Sequence, residues 1–89
     1  MSNVSITLHN NDEARGIIKA IEQDNPDATL HVYPGIVKID CPNSLTVNKA
    51  SVEEQIGREW DVGEMHLSMI SLAGNIDEDD DYFTLSWNH

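Results

Sequence analysis

Five consecutive carboxylates occupy positions 77–81, reading Asp-Glu-Asp-Asp-Asp, and an apolar segment stands on each side of them, residues 67–72 before and 83–87 after. Adjacent like charges repel and cannot be desolvated together, so the block must stay in water or meet a basic partner. The flanking segments carry the opposite demand. The pattern predicts a reversal of the chain, with the acids at its tip and both segments drawn into a core or an interface. Two roles stay open for the acids, a solvated hairpin tip or an electrostatic docking handle.

Ahead of that feature the chain alternates β-forming stretches with turn and cap signals. Val4, Ile6 and Leu8 alternate with Ser5 and Thr7, the period of a half-buried strand. Asn11 or Asp12 can cap the helix that follows, whose Ala14, Ile17, Ile18 and Ile21 share one face and which Pro26 stops. Residues 29–33 and 36–40 flank Pro34-Gly35, a pair suited to a tight turn, and predict a hairpin. Leu45 and Val47 alternate with Thr46 and Asn48 in a further short strand. Ser51 and Glu54 have the spacing of a capping box for a short helix that Gly57 can close, and Asp61 and Glu64 repeat the signature. Trp60, between the two, reads as a packing wedge.

From Glu64 onward two phases compete. Met65, Met69, Leu72 and Ala73 fit one helical face, while Leu67 with Met69, then Ile70 with Leu72, fit a strand whose phase shifts. The strand is the reading taken, Leu67 included; it needs a bulge between Met69 and Ile70 and predicts pairing with Phe83, Leu85 and Trp87. The whole order is β-α-β-β followed by β-α-(α)-β-β. This is an α+β fold of mixed β-strands and two to three short helices, a small single domain over residues 1–89.

Chemistry is conspicuous by what the residues fail to supply. Cys41 stands alone, which excludes an internal disulfide and a site built on several thiolates. His9, His31, His66 and His89 lack the spacing of a zinc helix or of a di-iron Glu-x-x-His. Asp77, Asp79 and Asp81 take the first, third and fifth places of an EF-hand loop, but Tyr82 stands where glycine is required and Asn88 where a bidentate glutamate is needed. Asn43-Ser44-Leu45 resembles the attachment site of acyl carrier proteins, yet the aspartate is replaced and a strand follows. No glycine-rich phosphate loop, flanked serine nucleophile or isolated carboxylate pair is present. The expectation is a binding protein without catalytic residues, metal or cofactor.

Sixteen acidic residues against five basic ones give a net charge of −11, a field that opposes nucleic acid and anionic membranes. A neutral or basic partner suits it. An acidic decoy that imitates nucleic acid suits the same charge and stands as the alternative. The start Met-Ser-Asn-Val has neither the basic nor the apolar region of a signal peptide, so the expected compartment is the cytoplasm.

Asp24-Asn25-Pro26, the hairpin Pro34-Gly-Ile-Val-Lys-Ile-Asp40 and above all residues 70–89 resemble the regulatory component of bacterial multicomponent phenol hydroxylases, a family that includes the effector proteins of toluene and methane monooxygenases. The likeness runs the length of the chain and is looser from Cys41 to Glu64. It implies a cofactor-free coupling protein that binds the di-iron hydroxylase, adjusts its active site and substrate access, and acts in concert with the reductase. It also implies that the segment before Gly74 meets the hydroxylase. That segment runs from Ser68 to Asn75, with Ser71 and Asn75 the polar candidates, Met69, Ile70 and Leu72 the apolar anchor, and Gly74 allowing close backbone approach. On the residues alone, Met69, Ile70 and Leu72 read first as ordinary core, and it is the resemblance that brings the contact role level with it.

Overall fold

The computed structural model describes residues 3–87; Asn88 and His89 lie outside the described residues. Strand β1 (Asn3–His9) leads into helix α1 (Asp12–Asp24), then β2 (Thr29–Tyr33), β3 (Ile36–Pro42) and β4 (Ser44–Asn48). Helix α2 (Lys49–Ile56), a 3-10 turn (Val62–Glu64) and the short helix α3 (Met65–Ser68) follow. Three strands close the order: β5 (Met69–Ala73), β6 (Asn75–Glu78) and β7 (Tyr82–Ser86). The α+β class and the alternation of its two halves are as expected. The last limb, however, divides into two strands at Gly74, and the acids Asp77 and Glu78 belong to the second of them.

Two antiparallel sheets form. One has the order β2-β3-β1-β5, the other β4-β7-β6. Every second residue of β1 (Val4, Ile6, Leu8) is fully buried, as its alternation demands, and Ile39 of β3 lies opposite Ile6. Ala14, Ile17, Ile18 and Ile21 of α1 join Val52, Trp60, Met65, Phe83 and Leu85 in the same core. Asn11 caps α1, its Oδ1 accepting from Ala14 N at 2.9 Å, which settles the choice between Asn11 and Asp12. Gly57 closes α2 in the left-handed conformation, φ 73°.

Three expectations need correction. Ser51 and Glu54 do not begin α2: the helix starts at Lys49, after Asn48, whose amide is engaged elsewhere, donating to Asp24 Oδ2 at 2.9 Å. Helix start is set there by β4 running straight into α2. Leu67 is helical, because the capping box formed by Asp61 and Glu64 launches a turn that runs on through α3. Finally, the segment before Gly74 does not pair with β7. Its partner is β1, with Ser5 opposite Ala73 and Thr7 opposite Ser71, while β7 is flanked by β4 and β6.

Candidate functional site

Residues 67–76 pass along the edge of one sheet, turn, and enter the edge of the other. The ladder of β5 with β1 steps from Thr7–Ser71 to Leu8–Met69 and leaves Ile70 without an opposite number. Ile70 is therefore the extra residue of a bulge, next to the place the phase shift predicted. In a regular strand Ile70 and Ser71 would face opposite sides. The bulge re-aims one of them, so both are exposed, Ile70 to 46%.

The other candidates are not alike. Ser68, at the end of α3, is only 4% exposed and so lies inside the surface formed by its neighbours. Met69 and Leu72 are half-buried and pack against the core, the outcome that the residues had left open. Asn75 is exposed at the start of β6, opposite Ser86 of β7. Gly74 has φ 138°, and a Cβ placed there would lie 3.1 Å from Val4 Cγ1. The close approach that glycine permits is thus an internal one, between the corner and β1. Residues 70, 71 and 75 are the members of the segment left facing outward.

Two apolar side chains missing from the sequence-based set join them. Leu67 is 76% exposed and Ile76 44%. Leu67 escaped because its strand phase with Met69 assigned it to the wrong element; Ile76 escaped because it sits beside the acid block and reads as part of a polar tip. Single exposed apolar residues are ordinary on protein surfaces, but three within ten positions of one segment, Leu67, Ile70 and Ile76, are the kind of patch found at contact surfaces.

The segment is held from both flanks. His66 of α3 contacts Glu78 Oε1 at 2.7 Å and sets its ring edge-on to Phe83, centroids 6.1 Å apart, which ties α3 to the β6–β7 hairpin. Trp87 Nε1 donates to Asn3 O at 2.9 Å across the seam between the sheets. Residues 77–81 are all exposed, and the tip of the hairpin is closed by Asp79 N donating to Tyr82 O at 2.8 Å. The acids stay at the surface, with Glu78 also meeting His66.

Among the described residues no group of three or more His, Cys, Asp or Glu side chains is placed to hold a metal ion. Cys41 is buried, and its thiol is pushed up from its ordinary pKa first by desolvation and then by the charge of Asp27, so it is a poor nucleophile. What residues 67–76 offer is apolar surface with a hydroxyl and an amide among it.

Comparison with known proteins agrees in extent and in kind. A sequence profile described as the MmoB/DmpM family matches residues 2–86. The stimulatory component DmpM of phenol 2-monooxygenase from Pseudomonas sp. (strain CF600) is 43% identical over 86 residues, which is 97% of this chain and 96% of that protein. A chain in the structure of a phenol hydroxylase–regulatory protein complex superposes with a TM-score of 0.93 at 44% identity, covering 98% of this chain and all of that one. The soluble methane monooxygenase regulatory protein B shares the fold, with a TM-score of 0.77 at 21% identity over 97% of this chain and 65% of its own length.

Proposed function

This chain belongs to the MmoB/DmpM family, and on that premise we propose that it is the regulatory component of a multicomponent phenol monooxygenase, a non-catalytic protein that binds the di-iron hydroxylase. The observation that carries this reading is the full-length identity of 43% to a phenol 2-monooxygenase stimulatory component. Its place of action is the cytoplasm, with the hydroxylase and its reductase; no helix among the described residues is long and apolar enough to cross a membrane.

Contact is made through the exposed side chains of the bulged segment, Ile70 and Ser71, with Asn75 beyond the corner and Leu67 and Ile76 at the margins. Met69 and Leu72 support that surface from beneath and Ser68 anchors its start. Gly74 keeps the corner tight where the chain passes from the edge of one sheet, β5, to the edge of the other, β6. The iron belongs to the partner.

Regulation follows from linkage. A protein that binds two conformations of the hydroxylase unequally shifts them by the difference in binding free energy and by no more. A preference of about 1.4–2.8 kcal/mol changes the competent population ten- to a hundredfold. Adding this protein to purified hydroxylase and reductase raises phenol turnover to an optimum near equimolar hydroxylase; a flat titration overturns the reading.

A further inference from the structure

Three of the chain's five cationic side chains converge on one place. A groove of about 580 Å³ runs between α1 and α2, with Arg15, Lys19 and Arg58 along it and Gly16 and Ile56 where the helices meet. The helices can approach so closely because Gly16 has no side chain: a methyl group there would overlap Ile56 Cγ2. Glycine inside a helix costs up to about 1 kcal/mol against alanine, so the position is given to helix contact rather than to helix propensity.

The groove is positive on a protein whose net charge is −11. Asp12 also borders it and lies 3.4 Å from Arg15, but that pair is between exposed side chains, 67% and 99% accessible, and so holds the guanidinium only weakly. Arg58 is steadied by its Nη1 donating to Glu59 O at 2.8 Å and by Glu64 Oε1 at 3.6 Å from Nη2. The groove also has a direction. A narrow cleft shares Ile56 and Arg58 with it and continues to Leu67 and Ser68, where the bulged segment begins.

We propose that the α1–α2 groove docks a carboxylate-bearing segment of the hydroxylase, so that the contact surface extends from Ile70 and Ser71 past Leu67 to the three cations. The inference rests on the function proposed above. On a protein of net charge −11, a cluster of three cations favours the pose that sets it against carboxylates over poses that present the more acidic faces to them.

The test compares two double variants with equal change in net charge, Arg15→Glu/Lys19→Glu in the groove and Lys38→Glu/Lys49→Glu away from it. Ile70→Asp serves as a third arm, and circular dichroism confirms that each variant folds. Affinity for purified hydroxylase is measured by titration calorimetry at low and at high salt. The groove variant binds at least about tenfold more weakly at low salt and loses most of its salt dependence, while the control pair stays within about twofold of the parent. Equal weakening of both pairs, or parental affinity of the groove variant while Ile70→Asp loses binding, overturns the groove and leaves the regulatory reading intact. Absence of binding by the parent protein overturns both.

Discussion

The side-chain amide of Asn25 engages the main chain of Thr46 with both ends: Nδ2 donates to the Thr46 carbonyl at 2.7 Å, and Oδ1 accepts from the Thr46 N–H at 2.9 Å. The same Nδ2 donates to Ile21 O at 2.9 Å. One buried amide thus stands in for a neighbouring strand along β4 and pins the end of α1 to it. Replacing Asn25 by alanine removes these bonds and leaves two peptide groups of Thr46 unpartnered, a loss of about 2–4 kcal/mol. At about 4–8 °C per kcal/mol for a domain of this size, thermal melts register a fall in Tm of roughly 10–25 °C.

At the corner between the sheets, Gly74→Ala meets two penalties. The φ of 138° is open to glycine and strained for alanine, and the added methyl presses on Val4 Cγ1 at 3.1 Å. Urea unfolding is expected to report a loss of about 1–3 kcal/mol. Binding to the hydroxylase weakens as well, since the corner sets Ile70 and Ser71 on β5 relative to Asn75 on β6. A stability unchanged within about 0.5 kcal/mol contradicts this account of the corner.

Ile70 and Leu72 are neighbours in sequence and opposites in role. Ile70 is 46% exposed at the bulge, whereas Leu72 packs on the core. Ile70→Ala therefore changes stability by less than about 0.5 kcal/mol and lowers coupled phenol turnover at limiting concentrations of this protein. Leu72→Ala lowers stability by about 1–2 kcal/mol, less than a fully buried leucine would. If the two variants exchange these profiles, the assignment of surface and core is wrong.

Cys41 supplies a pH-dependent check. Its pKa is raised in the folded state, by desolvation first and by Asp27 second. A raised pKa means that the folded protein holds its thiol proton to higher pH than the unfolded chain. Its contribution to stability is complete below the unfolded thiol's pKa and is lost as pH rises through the folded value. Iodoacetamide at pH 8 accordingly labels the native protein slowly and the urea-unfolded protein fast. Chemical melts at rising alkaline pH show a decline that is shallower in Cys41→Ala.

Local patterns were readable wherever the decisive partner lay a few residues away. The period-two run of β1, the isoleucine face of α1, a cap at Asn11 or Asp12 and the Pro34-Gly35 turn all depend on near neighbours, and all are found, the cap being Asn11. The Asp61–Glu64 box is found too, whereas the equally well-spaced Ser51 and Glu54 are not used, because β4 delivers the chain in helical register before Ser51 is reached. Pairing was the blind spot. Nothing within residues 67–87 says that β5 should lie beside β1, or that Asn25 should reach Thr46, since both are relations between distant parts of the chain. For the proposed contact surface, resemblance pointed to the interval before Gly74, but only burial separates Ile70 and Ser71 from Met69, Leu72 and Ser68.

Strand β1, made first, lies between β3 and β5, and only one of its two ladders can be zipped early. The other must wait for residues 69–73, and Phe83 and Leu85 arrive later still to fill the second sheet. Closing such long loops is entropically slow, so refolding belongs to the millisecond-to-second regime of sheet-rich domains rather than to the microsecond regime of helical bundles. Until residues 69–86 are available, Ile6 and Ile39 lack Leu72, Phe83 and Leu85, the members of their core that come last in the chain. The fold is therefore acquired late, as an act of the whole chain, when its last strands come free.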